Sequence, residues 1–199
     1  MSNQEQYLSL FKATIGNYHR ISDESFSLLA SLIELQQVNK NEFLLKEGQV
    51  SKTLYFICKG AVVAYFTDEQ ANTYHKNIFL EQQFAGSTVS ALLKTPSQFT
   101  LQAIEDSTII TINHEKYKAL INQREDLKNF YIAYLEKNWV IDKEQREISL
   151  VMETAGVRYL KMLAKHPGID KRIPLQHIAS HLGITPTQLS RIRKEIKNK

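Results

Sequence analysis

One cysteine, one tryptophan, four prolines and seven glycines are spread over 199 residues. The lone thiol, Cys58, excludes a disulfide framework, a Cys-ligated iron–sulfur cluster and a Cys-rich zinc site. So little Gly and Pro, beside 43% hydrophobic residues, excludes collagen-like, low-complexity and disordered chains. No apolar run approaches the roughly 18 residues that a membrane span requires. The start, Met1 to Gln6, has neither the basic residues nor the apolar stretch of a secretory signal. These absences predict a folded cytoplasmic protein with no membrane partner.

Charge is unevenly placed. Residues 154–199 carry ten Lys and Arg against two acids, a local +8, while the first 153 residues carry fifteen against nineteen. The net +4 of the chain therefore lies in its last quarter, where a polyanionic partner is expected.

Ser22 before Asp23 and Glu24 reads as a helix cap, with Phe26, Leu29 and Ile33 at helical spacing behind it. From about Leu32 to Asn113 the pattern becomes short β-rich runs: 43–45, 54–58, 62–66, 78–80, 99–101 and 108–112. Gly48 and Gly60 punctuate them, and 68–72 reads as a hairpin loop. No helix alternates with the strands, so the expected fold is α+β with an N-terminal antiparallel β-roll or jelly roll, not a parallel sheet.

After Asn113 the chain has no Gly or Pro until Gly156. Leu127, Tyr134, Ile141 and Ile148 recur every seventh position, with Tyr131, Asn138, Gln145 and Met152 four residues after each. This pattern predicts a dimerisation helix of roughly 28 residues, about 42 Å long and longer than a small barrel covers. The alternative is a helix packed on its own barrel. Thr154 then caps a helix to about Lys165, ended by His166-Pro167-Gly168. The expected divisions are N-terminal helices and roll over 1–121, the long helix over 122–153 and a small helical domain over 154–199.

Residues 174–196 hold two short amphipathic segments separated by Gly183. Ala179 is small where two helices would cross, Ile178, Leu182, Ile184, Leu189 and Ile192 form a shared core, and Thr185-Pro186 opens the second segment. This is helix-turn-helix patterning, in which the second helix enters the major groove of DNA. The predicted DNA-facing residues are Thr185, Thr187, Gln188, Ser190, Arg191, Arg193 and Lys194. Gln188 suits adenine and Arg191 guanine, while Arg193, Lys194 and Lys197 suit phosphates. The alternative is a helical hairpin whose basic residues form a solvated face.

A β-roll, a long helix and a C-terminal helix-turn-helix, in that order, resemble the CRP/FNR family of bacterial transcription factors. Lys46-Glu47-Gly48 with Leu54 to Gly60 look like that family's early strands, and Leu189-Ser190-Arg191-Ile192 looks like its recognition helix. The resemblance implies an effector-binding roll, a homodimer, inverted-repeat operators in double-stranded DNA and RNA polymerase as a further partner.

Departures from the family pattern narrow the effector. Nucleotide-binding relatives carry Gly-Glu after the sixth strand and Arg-Ser about ten residues on; here Gly86-Ser87 and Ser97-Gln98 occupy those places. Without the cation a buried cyclic phosphate loses its charge-assisted partner, so cyclic AMP is disfavoured. Gly86, Ser87, Thr88, Ser97 and Gln98 remain the candidate pocket, for an unknown small effector or for none. Cys58 reads as an inert core thiol, and His75 and His114, isolated in polar contexts, read as surface residues and not haem ligands. No wing follows the recognition helix beyond Lys197-Asn198-Lys199. No phosphate-binding Gly loop, Gly-x-Ser-x-Gly, His-Glu-x-x-His or close Cys/His pair is present, so no enzyme activity and no metal site are expected. The rival function is an adaptor whose roll binds a partner and whose basic end is incidental.

Overall fold

The chain begins with α1 (Asn3–Gly16) and α2 (Asp23–Ala30). Six strands follow: β1 (Ile33–Val38), β2 (Phe43–Leu45), β3 (Thr53–Lys59), β4 (Val62–Thr67), β5 (Thr73–Phe79) and β6 (Phe84–Ala85). After α3 (Thr88–Leu93) come β7 (Thr100–Ala103) and β8 (Ser107–Asn113). This computed structural model describes residues 3–70 and 73–197, so part of the expected 68–72 loop and the last two residues of the tail lie outside the described residues. The sequence patterning predicts no helix among the strands; α3 is one, and it begins within the candidate effector pocket at Thr88.

The strands form two four-stranded antiparallel sheets, ordered β1-β8-β3-β6 and β2-β7-β4-β5. Their facing sides bury Val38, Leu45, Tyr55, Ile57, Val62, Leu101 and Ile109. The outer face of β3 and β8 is also covered: Phe56, Cys58, Ile110 and Ile112 pack on Phe11, Ile15, Leu29, Tyr117, Leu127 and Phe130 from the helices. Burial on both faces explains why these strands are apolar at successive positions instead of alternate ones. Cys58 is 4% exposed, and burial pushes its thiol up to about 12, which leaves it unreactive. Gly60 turns β3 into β4 at φ +100, where a Cβ would fall 2.7 Å from the Ser107 Cα.

Asn113 caps α4 (His114–Gln123). After an extended residue, Arg124, one long helix runs as α5 (Glu125–Leu135), a π-helical turn (Glu136–Ile141) and α6 (Asp142–Met152). In the π turn the Asn138 side chain donates to the Tyr134 carbonyl (2.9 Å) and to the Tyr18 hydroxyl (3.2 Å), which competes with the regular ladder. The extra residue re-phases the helix. Up to and into the turn the barrel-facing side is Leu127, Phe130, Tyr131, Tyr134 and Asn138; after it, the half-buried side is Asp142, Arg146, Ser149 and Glu153.

The last quarter consists of α7 (Ala155–Lys165), α8 (Ile169–Arg172), α9 (Leu175–His181) and α10 (Pro186–Lys197). Thr154 caps α7 by accepting from the Val157 N–H (3.4 Å). These helices share one core, Tyr159, Ile169, Ile173, Ile178, Ala179, Leu182 and Leu189, which is continuous with Ala61, Val63, Leu80 and Ile104 of the roll.

Candidate nucleic-acid interface and effector region

α9 and α10 are joined by Gly183 at φ +71, with Ala179 fully buried beneath the turn. Thr185 and Gln188 form a reciprocal capping box: the Gln188 N–H donates to Thr185 Oγ1 (3.2 Å), and the Thr185 N–H donates to Gln188 Oε1 (2.8 Å). The amide oxygen that a bidentate contact with adenine needs is therefore engaged in starting the helix. The Thr-x-x-Gln spacing of this box is visible in the sequence.

With Leu189 buried and Ile192 half-buried, Thr185, Thr187, Gln188, Ser190, Arg191, Lys194 and Lys197 share the exposed side of α10. Arg191 makes no ion pair among the described residues. Arg193 lies elsewhere: half-buried, it donates to Asp170 Oδ2 (3.3 Å), which also accepts from the Tyr159 hydroxyl (3.1 Å). It braces α10 on α8 and does not point outward with Lys194.

In the candidate effector pocket, Ser87 and Ser97 are 3% and 2% exposed and bonded to each other, with Ser97 Oγ donating to Ser87 Oγ at 3.0 Å. The same Ser97 Oγ lies 2.8 Å from the Phe99 carbonyl. Ser90 Oγ, beside them, accepts from the Ser51 N–H (2.9 Å) and donates to the Thr95 carbonyl (2.6 Å). Gly86 and Thr88 are half-buried, and Gln98 is exposed. The two that are buried, Ser87 and Ser97, are bonded to one another.

The predicted dimer seam divides at the π turn. Leu127 is fully buried in the chain's own core, and Tyr131 and Tyr134 pack against it. Asn138 is held by Tyr18. Ile141 (47% exposed), Gln145 and Ile148 (54% exposed) form an exposed stripe with Met152. In its first half, the helix packs on its own barrel.

A junction between roll and helix-turn-helix was not legible in the sequence. Arg172 of α8 pairs with Glu81 and Glu105, which raises its pKa further. His75, read from the sequence as an isolated surface residue, is half-buried, with its Nε2 2.7 Å from His177 Nδ1. Its backbone N–H donates to Ser180 Oγ (2.8 Å). Burial, then His177, lowers the His75 pKa to about 4. The partners stand 67 to 105 positions apart, and no local spacing signals them. Among the described residues no three His, Cys, Asp or Glu side chains are grouped to hold a metal ion, and no helix is long and apolar enough to cross a membrane.

Residues 35–124 match the family model of the cyclic nucleotide-binding domain. Solved structures share the fold at low identity. The Catabolite Activator Protein of Thermus thermophilus is 19% identical, with 93% of this chain and 87% of that one covered at TM-score 0.55. The c-di-GMP responsive global regulator CLP of Xanthomonas campestris is 15% identical (89% and 92% covered, TM-score 0.68). FixK2 of Bradyrhizobium japonicum is 16% identical (83% and 85% covered, TM-score 0.68). No curated protein matches the chain.

Proposed function

We propose that this chain, with its cyclic nucleotide-binding domain at residues 35–124, is a homodimeric, sequence-specific DNA-binding transcription regulator of the CRP/FNR type. The observation that carries this reading is the exposed side of α10. Thr187, Ser190, Arg191 and Lys194 stand together there on a capped helix, within a segment of local charge +8. Arg191 is the base reader, bidentate to guanine; Lys194 and Lys197 neutralise phosphates; Thr185 and Gln188 set the start of the helix, and Arg193 braces it. Dimerisation runs through Ile141, Gln145 and Ile148 and places two α10 helices in successive major grooves of an inverted repeat.

Cyclic AMP is not the effector in this reading. Ser87 and Ser97 stand where relatives carry the acid and the arginine, and they are bonded to each other. A cyclic phosphate there would meet hydroxyls and no cation.

The test is fluorescence anisotropy of the full chain against duplexes selected from a random pool, at two salt concentrations. Binding to an inverted repeat, with affinity falling steeply as salt rises, is the expected result. No duplex binding at low salt would reject the proposal and leave the adaptor reading.

A further inference from the structure

The joint between the long helix and the helix-turn-helix is two extended residues, Glu153 (φ −112, ψ 145) and Thr154 (φ −68, ψ 153). Arg158, one turn into α7, reaches back over it. Its Nη1 donates to the Glu153 carbonyl and its Nη2 to the Leu182 carbonyl (2.9 Å). Glu153 and Leu182 are the C-caps of α6 and α9, so one guanidinium holds the carbonyl ends of two helices. The Glu153 carboxylate turns to other partners, Ser149 Oγ (2.6 Å) and Lys161. Arg158 Nε is buried and makes no hydrogen bond among the described residues. Two main-chain acceptors thus fix the fork and leave its third donor unpaired.

Beyond the joint, α7 is one body with α10. Tyr159, next to Arg158, lies in the core shared with α8, α9 and α10, and its hydroxyl donates to Asp170, which also accepts from Arg193. Gly156 brings the first turn of α7 against α10, where a Cβ would lie 3.9 Å from Ile192 Cγ2. Two other contacts tie α6 to this body, and each is looser. Lys161 is 63% exposed, so its pair with Glu153 is screened and its side chain is free to turn away. Arg146 Nη2 stands 3.4 Å from His181 Nδ1, while its Nη1 is engaged by Asn77 of the roll. Arg158 is half-buried, and its acceptors are main-chain carbonyls that have no rotamer to escape by. A planar fork on two such acceptors fixes direction, which a lysine ammonium does not.

We propose that Arg158 is a positioning residue that sets which spacing between half-sites the dimer accepts in an inverted repeat. The inference rests on the reading of the chain as a DNA-binding dimer joined through α6. In that dimer the angle between α6 and α10 decides where the two recognition helices stand. Each base pair added between half-sites moves them about 3.4 Å apart and turns them about 34° around the duplex axis, so one angle suits one spacing. The clamp on the Glu153 and Leu182 carbonyls holds that angle without touching a base. Base preference within a half-site stays with α10.

The full chain and its R158K, R158Q and K161Q variants are compared by fluorescence anisotropy on duplexes that carry the selected inverted repeat with its spacer lengthened or shortened one base pair at a time, and on a single half-site. The wild type should favour one spacing at least tenfold. Both Arg158 variants should bring the spacings within about threefold of one another and keep the half-site's affinity and base preference, while K161Q keeps the wild-type profile. R158K retains stem and charge, so it tests the fork should R158Q disturb folding. A residue needed only for stability would lower the melt and weaken every spacing alike; that outcome, or an unchanged spacing preference, overturns the assignment. Nitroxides at N129C/K171C, in chains diluted with unlabelled protein, read the joint without DNA, since Cys58 is buried and the label goes to the introduced thiols. Their distance distribution should be narrow in the wild type and broader in R158K, and equal widths would also overturn the role. A wild type that binds no duplex rejects the regulator itself, whereas one that binds and keeps its spacing preference in R158K rejects only Arg158.

Discussion

Arg172 holds Glu81 through two parallel hydrogen bonds, Nη1 to Oε2 at 2.9 Å and Nη2 to Oε1 at 2.7 Å, and its Nε reaches both oxygens of Glu105 at 3.0 Å. Glu81 Oε1 also accepts the Gly60 N–H (2.9 Å), so the β3–β4 turn, the end of β5 and α8 are tied at one point. Forked Arg–carboxylate pairs fix geometry as well as contribute energy.

Because these side chains are about one-third exposed or less, screening limits the loss in Arg172→Ala to about 1 kcal/mol. Amide exchange in 73–79 and 175–181, including the His75 N–H, should accelerate about fivefold, with strands β3 and β8 unchanged. Unchanged exchange in 73–79 would show that the apolar contacts of Val63 and Leu80 hold the junction unaided.

Variants at Thr185, in the capping box, and at Arg191, on the exposed side of α10, separate folding from recognition. Thr185→Ala should destabilise α10 by about 1 kcal/mol in thermal melts and weaken all duplexes alike. Arg191→Ala should leave the melt unchanged and cost about 1–3 kcal/mol of discrimination at one base pair. Equal loss of affinity for operator and random DNA would make Arg191 a phosphate contact.

Replacing Ile148 by Asp, on the exposed stripe, should give a folded monomer in sedimentation equilibrium. Replacing Leu127 by Ala, one predicted seam position among the core side chains, should instead cost about 2–5 kcal/mol of stability with no change in oligomeric state. A folded I148D dimer would move the interface off α6.

His75, His177 and His181 all have folded pKa values below the ordinary 6.5, burial being the largest cause for each. A lowered histidine favours the fold fully above its unfolded value, and that contribution is lost as pH falls from 6.5 towards about 4 for His75. Junction stability, followed by exchange of the His75 amide, should therefore decline over that range. The decline should flatten in H75N/H177N, and a pH-independent wild type would contradict it.

Local chemistry made much of this protein legible. Ser22, Thr154 and Gly183 mark helix ends through their own hydroxyls or φ, and Ile178 to Leu189 fix a helix pair by spacing, all within a few residues. The apolar runs 54–58 and 108–112 announce strands because side chains must be buried whichever face they take. By contrast, the heptad Leu127–Tyr134–Ile141–Ile148 is continuous as text and broken in space. One π turn hands its first half to the barrel and leaves its second half exposed.

The sequence by itself determined the order of parts, the basic end, the apolar surroundings of Cys58 and the uncharged side chains at Ser87 and Ser97. Only the tertiary structure decided that Ser87 bonds Ser97, that Arg193 faces Asp170, that His75 meets His177, and that Arg146 bonds Asn77. The physical reason is range. Caps, turns and periodicity act over about four residues, whereas these contacts are made by groups brought together when separate sheets and helices bury their apolar faces against one another.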